Sequence, residues 1–412
     1  MGKISVEVLL LILSSVVVVS YIFSILSRYI KIPSVLLLLA SGILLRFIVD
    51  RQQMDISFPP MLTEFLGVTG LVMIVLEAGL DLKLNKSKTT LIRNSFFSAL
   101  FIFVISLAGI AAGIHYWLQE SWLKCIVYAI PLSIMSSSIV IPSLHVLSPQ
   151  KKEFLVYEAS FSDIIGILIF NFLVAGQAIS LVSVGGFFVN IIISVFLSLL
   201  FSFLLLIILA KSKLNIRFFL VFALLIFLYV SGKIMHLPSL IIILMFGLLM
   251  NNWNLLSRFP KVEKYFPSAQ VEGITHLLHS ITAESSFLIR TFFFILFGFS
   301  IDLKLIMHNE VILVGSIIVF ALLLVRFLYL RFFLKEQVFP EVVFIPRGLI
   351  TILLFYKIPD YLKLASFNEG ILFFVILLSS LIMMLGMFFY KYKSDDMVED
   401  HMNAANLPAK EN

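Results

Sequence analysis

FLVYEASFSDIIGILIFNFLVAGQA, residues 154–178, is an apolar run that carries two carboxylates, Glu158 and Asp163. A helix needs about 20 mostly apolar residues to cross roughly 30 Å of hydrocarbon. The run is long enough to do so. An ionisable residue inside such a span is costly and therefore has a partner or a function. Asp163 lies about ten residues into the run, near the bilayer midplane at about 1.5 Å of rise per residue. A carboxylate at that depth can hold a proton or a desolvated alkali cation, but hardly both. That competition is what exchange of one for the other requires.

The same pattern repeats along the chain. Of 412 residues 61% are hydrophobic and only 13% charged, against about 25% charged in a soluble domain. Apolar runs near Val6–Arg28, Pro33–Val49, Leu62–Leu82, Leu91–Leu118, Trp122–Leu147, Phe154–Ala178, Gly185–Ala210, Arg217–Ile234, Pro238–Met250, Thr275–Ile301, Val311–Phe333, Val342–Lys357 and Gly370–Tyr390 predict about 13 transmembrane helices. The fold class expected is all-α integral membrane. The first run is too long for a signal-peptide core and no small-residue cleavage site follows it, so it reads as the first span. The one cysteine, Cys125, excludes a disulfide within the chain and any cysteine-built metal site. The Lys and Arg residues sit in loops and form no basic face on a soluble domain, which excludes nucleic acid as a partner. No Walker-type loop and no catalytic pairing is recognisable, so neither a cofactor nor an enzyme activity is expected.

Loop charge sets the orientation. Lys83, Lys86, Lys88 and Arg93, then Lys151 and Lys152, then Arg258, Lys261 and Lys264 fall on alternate loops with Lys391 and Lys393. By the positive-inside rule that side is cytoplasmic, with the N-terminus outside. The expected location is the cell (inner) membrane.

Two ordered matches indicate an internal repeat. Ile32-Pro33-Ser34-Val35-Leu36 leads to Gly42, and Leu237-Pro238-Ser239-Leu240-Ile241 leads to Gly247 at the same spacing. Leu80-Asp81-Leu82-Lys83-Leu84 and Ile301-Asp302-Leu303-Lys304-Leu305 close the spans that follow. An odd number of spans between equivalents inverts them, as in alternating-access transporters. The expected organisation is a first repeat over residues 1–180, a connecting span over 181–213, a second repeat over 214–393 and a short cytoplasmic tail over 394–412.

The intramembrane polar groups fall at equivalent places. Ser136-Ser137-Ser138-Ile139-Val140-Ile141-Pro142 lies in span five, and Phe344-Ile345-Pro346-Arg347-Gly348 in span twelve. Proline removes a backbone donor and disturbs the preceding turn. Unwound backbone at this depth is tolerated where it lines a cavity or is buried in protein. Pro142 and Pro346 therefore predict two broken helices that cross, with Ser137, Ser138, Ser162 and Asp163 as candidate cation and proton ligands. Five residues advance a helix by about 500°, so Glu158 and Asp163 face different sides. Glu158 is expected to form a buried ion pair with Arg347. Arg290 is expected to brace its helix against Glu64, Glu77 or Glu284, with Glu77 cross-linking or capping helices. His276 and His279 read either as pH-sensing groups or as a solvated face. His145 reads as a residue that adjusts the proton affinity of the site or as a boundary residue.

Together these residues resemble the cation:proton antiporter superfamily over essentially the whole chain. The Pro33–Gly42 helix resembles its early span, Leu76-Glu77-Ala78-Gly79-Leu80-Asp81-Leu82 its third-span ending, and Ser136-Ser137-Ser138 its unwound Ser-Ser-Thr. Glu158 to Asp163 resembles its Glu before an Asn-Asp or Asp-Asp pair. Ile289-Arg290-Thr291-Phe292-Phe293-Phe294 and Pro346-Arg347-Gly348 resemble its later motifs. Three positions depart from the sodium-selective pattern: Ser162 precedes the essential Asp, Ile139 replaces a second Asp and Ala159 replaces a Ser ligand. The resemblance implies a homodimer in the lipid bilayer, with spans three to six and ten to thirteen as a moving core. It also implies exchange of protons for Na+, K+ or Li+, and one free carboxylate makes the exchange electroneutral. An organic anion/sodium symporter on the same fold, or an ion channel or sensor that kept it, is compatible with the residues alone.

Overall fold

The structure is a computed structural model. It describes residues 6–30, 32–51, 60–84, 88–144, 147–174, 181–211, 218–234, 239–255, 257, 268–301, 303–334 and 338–390. Among them there is helix but no strand. With no water at membrane depth, helices satisfy their own backbone groups. The helices fall on the apolar runs: α1 (Val6–Ile30), α2 (Ser34–Arg51), α3 (Pro60–Asp81), α4 (Thr89–Leu118), α5 (Trp122–Ser133), α6 (Ser137–Ser143), α7 (Pro149–Val174), α8 (Leu181–Lys211), α9 (Phe218–Ile234), α10 (Ser239–Asn251), α11 (Ser268–Ser300), α12 (Asn309–Tyr329), α13 (Leu349–Tyr356) and α14 (Gly370–Phe389). Five segments of the described residues are by themselves long and apolar enough to cross a membrane, among them α4, α14 and the stretch Trp122–Ser143. Pro238, Asp302, His145, Pro260, Pro267, the tail over 394–412 and the side chain of Glu64 lie outside the described residues.

Two groups of helices pack side by side. In one, α2 lies along α11, α3 lies between α10 and α11, and α8 and α9 flank α10. In the other, α4 lies against α5, α7 and α12, α12 against α14, and α13 against α5. The glycines at the ends of the repeated Pro-Ser motif explain the closest approaches. Gly42 of α2 sits on Gly298 of α11, and Gly247 of α10 sits on Gly79 of α3. A Cβ on Gly79 would fall 2.6 Å from the Leu244 carbonyl oxygen, and one on Gly247 would fall 2.8 Å from the Leu76 carbonyl oxygen. Both obstacles are backbone, which cannot swing aside. Helices in lipid associate through such small-residue contacts because no hydrophobic force joins them. Gly247→Ala is therefore expected to destabilise the protein by about 1–3 kcal/mol through overpacking. Gly109→Ala, with nothing within 4 Å of the new methyl, is the control. Thermal unfolding in detergent compares the two, and equal melting temperatures would contradict the tight crossing.

Two helices are broken at mid-bundle. α5 ends at Ser133 and α6 begins at Ser137, with Ile134 and Ser136 extended. Residues 344–348 are non-helical and lead into α13. Pro346 lies in its break as expected, but Pro142 does not: it sits inside α6, past the interruption. A proline deprives the carbonyl four residues earlier of its donor, here Ser138, whereas the chain unwinds at Ile134–Ser136. The interruption is placed by partners on other helices.

Candidate ion-binding site

The two breaks meet. The Ser136 N–H donates to the Pro346 carbonyl at 3.0 Å, and a Cβ on Gly348 would collide with Ser136 and Ile139. Only glycine leaves room for that approach. Breaking a helix orphans donors on one side and acceptors on the other, and each set finds partners here. On the donor side, the Met135 N–H donates to Ser162 Oγ at 2.9 Å and the Ser137 N–H to Asp163 Oδ2 at 3.3 Å. On the acceptor side, Arg347 Nε donates to the Leu132 carbonyl at 2.6 Å and Nη2 to the Ser133 carbonyl at 3.4 Å. Its Nη1 donates to the Ile345 carbonyl at 2.7 Å. A guanidinium at the end of α5 compensates the partial negative charge of those carbonyls.

Asp163 is 3% exposed. Its Oδ2 is held by the Ser137 amide, while Oδ1 is buried with no hydrogen-bond partner in the described structure. The carboxylate lines a narrow cavity between α3, α7, α10 and α13, whose other walls include Ile74, Ala78, Ile167, Leu244 and Ile350. Among the described residues Asp163 is the one polar member of that lining. Ser136 and Ser138 share a hydroxyl–hydroxyl hydrogen bond of 2.9 Å nearby in the break. Ser162, expected as an ion ligand, spends an oxygen lone pair on the Met135 amide.

The expected Glu158–Arg347 pair is not formed. Glu158 pairs instead with Arg326 of α12, Nη1 to Oε1 at 3.0 Å and Nη2 to Oε2 at 2.7 Å. Ser98 adds a hydroxyl donor to Oε1 at 2.6 Å. Arg326 Nε donates to the Glu341 carbonyl at 2.6 Å. The reason for the exchange of partners is geometric. Arg347 donates to two carbonyls freed at the α5 break, Leu132 and Ser133, and to the Ile345 carbonyl of its own break, while Arg326 presents its planar fork to both carboxylate oxygens. Glu158 and Asp163 do face different sides of α7, one towards α4 and α12, the other towards α3 and α10. Arg326 had a signal in the sequence: it is an arginine deep inside the run Val311–Phe333, and such a residue requires a buried partner.

Charged contacts also cross between α3 and α11. Arg290 Nη2 lies 3.5 Å from Glu77 Oε1, and His279 Nε2 lies 2.7 Å from Asp81 Oδ1. Glu284 takes the Tyr21 hydroxyl at 2.6 Å. Of the acidic partners open to Arg290 whose side chains are described, Glu77 and Glu284, it meets Glu77.

No curated protein matches this chain in sequence. Among solved structures it is similar to the sodium proton antiporter MjNhaP1 from Methanocaldococcus jannaschii at pH 8, with TM-score 0.68 and 18% identity over 93% of this chain and 100% of that one. An electron-microscopy map of the same antiporter superposes with TM-score 0.65 and 16% identity over 99% of this chain and 100% of that one. These likenesses establish the shared fold. The family described as "Sodium/hydrogen exchanger, transmembrane" matches residues 14–390. A match over that much of the chain makes it a member of the transmembrane sodium/hydrogen exchanger family.

Proposed function

We propose that the protein exchanges protons for a monovalent cation, Na+ or K+, across the cell membrane by alternating access, with Asp163 as the shared site. The observation that carries this reading is the bare Oδ1 of Asp163 in an otherwise apolar cavity beside the crossed breaks. An uncompensated carboxylate in such surroundings is strongly unfavourable. It must be neutralised by H+ or by M+ before the site can be occluded and presented to the other side. The empty charged form cannot make that crossing, so transport of one ion obliges return of the other. Ser137 and Ser138 and the carbonyls of the break supply further oxygens, and Arg347 holds the break in register. A large organic substrate is disfavoured because the cavity is narrow and its lining includes no basic residue.

In the same reading, residues 1–180 and 214–393 are inverted repeats joined by the span within 181–213. The N-terminus lies outside and the C-terminus in the cytoplasm. Two copies associate through the spans outside the moving core. Glu158 is committed to Arg326, which leaves Asp163 as the one unpaired carboxylate of a one-for-one, electroneutral cycle. Each uncompensated charge would otherwise couple to the membrane by about 2.3 kcal/mol per 100 mV.

Proteoliposomes carrying a pH-sensitive dye test both parts. Proton flux should follow an imposed Na+, K+ or Li+ gradient, and flux with none of them would refute the exchanger. An imposed membrane potential should leave the rate and end-point unchanged. A clear dependence on potential would refute the one-for-one scheme while leaving exchange intact.

A further inference from the structure

A second cavity lies away from Asp163. It is an open groove of about 510 Å³ at the end of α4, with Leu84, Ile92, Arg93, Phe96, Phe161 and Leu255 among its lining. Of these six side chains five are apolar and one is a guanidinium, and Thr89 completes the described lining. Arg93 is exposed, and among the described residues it makes no ion pair or hydrogen bond. The neighbouring Lys88 is neutralised by Glu153 at 2.5 Å, so Arg93 carries the uncompensated charge of the groove. Among the described residues no carboxylate belongs to the lining.

The depth of these residues gives the groove its polarity. Arg93 is the fifth residue of α4, about 6 Å from the end of the helix. Phe96 lies one turn deeper and is 39% exposed on the same flank. It meets Phe161 of α7 edge-on, ring centroids 5.4 Å apart. Phe97 and Phe101 continue the aromatic surface as a stacked pair at 5.9 Å. A cation at the rim above an apolar, partly aromatic trough matches a molecule with an anionic head and a hydrocarbon tail. Basic pockets at the cytoplasmic ends of membrane helices hold anionic headgroups in this way.

We propose that the groove binds one anionic phospholipid, its phosphate on Arg93 and one acyl chain along Ile92, Phe96 and Phe161. An anionic lipid is favoured over a zwitterionic one because its net negative charge is attracted to the uncompensated Arg93, whereas a zwitterionic head brings an ammonium that the same cation repels. The opposite wall, Leu255, belongs to the turn Trp253–Leu255 after α10, so the lipid bridges the two helix groups. Its binding is independent of the Asp163 assignment.

The test is native mass spectrometry of the purified full-length protein, equilibrated in detergent with equal amounts of phosphatidylglycerol and phosphatidylcholine. One phosphatidylglycerol should be retained in preference. Arg93→Ala should cut that preference about five-fold, the effect of one basic residue near a membrane surface, and Arg93→Lys should keep most of it. Added salt should weaken the wild-type preference, since the head contact is exposed and screened. Equal retention of the two lipids, a preference that survives Arg93→Ala, or one that salt does not touch would overturn the proposal. A protein segment in the groove would give the first of these results.

Discussion

Asp163→Asn should reduce cation-driven proton flux to that of protein-free liposomes while leaving a folded protein. The expectation rests on what each carboxylate oxygen does. Oδ2 accepts the Ser137 amide at 3.3 Å, and the Asn carbonyl oxygen can accept that same bond. The break should therefore survive. Oδ1, which has no partner in the described structure, becomes an amide NH2 that neither binds a cation nor releases a proton. Neutralisation is permanent, and the obligation to load an ion before crossing is gone. A melting temperature close to wild type, together with absent flux, is the expected pair of results. Retained exchange would remove Asp163 from the site. The wild type carries a second signature of a shared carboxylate. Proton and cation that exclude one another shift each other's affinity reciprocally. As pH falls, more of the sites are protonated, so the apparent KM for the cation should rise. At high pH it should level off once no proton competes. A KM indifferent to pH would mean that the two ions bind at separate places.

The fold was legible because its determinants are local. Apolar runs of membrane-spanning length, short loops and the spacing from Pro33 to Gly42 can all be read residue by residue. The structure adds why that spacing matters: the glycines at the ends of the repeated motif are contact points between helices far apart in sequence, Gly42 on Gly298 and Gly247 on Gly79. The depth of Asp163 was legible for the same reason. What stayed hidden depends on contacts far apart in sequence. The interruption in the fifth span sits at Ile134–Ser136 rather than at Pro142. The Ser162 hydroxyl, the Asp163 carboxylate and the Pro346 carbonyl take the freed amides, and Arg347 takes the freed carbonyls. Local propensity weighs a proline heavily, but it cannot see acceptors and donors that arrive from residues 162 to 347. The partner of Glu158 was hidden in the same manner. Arg347 is the arginine beside a break, whereas Arg326 lies in the apolar run Val311–Phe333, with no motif around it to name its partner.

The buried pair makes the largest stability prediction. Glu158 and Arg326 are 1% exposed, and two charge-assisted hydrogen bonds of 3.0 and 2.7 Å join them. Removing one member of such a pair leaves the other charge buried and uncompensated, at a cost of about 3–5 kcal/mol. Glu158→Gln and Arg326→Met should each lower the melting temperature in detergent strongly. The double variant has no bare charge left, and neutral replacement of a buried pair is often tolerated. It should recover much of the loss. Recovery will be incomplete because Arg326→Met also strips the Glu341 carbonyl of its donor at 2.6 Å, worth about 1 kcal/mol. Arg347 supplies the comparison. It lines the same small cavity as Glu158, so some coupling between the two is expected. Its Nε, Nη1 and Nη2, however, each donate to a backbone carbonyl, of Leu132, Ile345 and Ser133. Arg347→Met should therefore destabilise by orphaning those carbonyls, and Glu158→Gln should do little to relieve it. The coupling energy in the Glu158/Arg326 cycle should clearly exceed that in the Glu158/Arg347 cycle. The reverse ranking would mean that Arg347, on the crossed break itself, is the partner that holds Glu158. In that case movement of the break during transport would release the second carboxylate, and the cycle would no longer be confined to one proton.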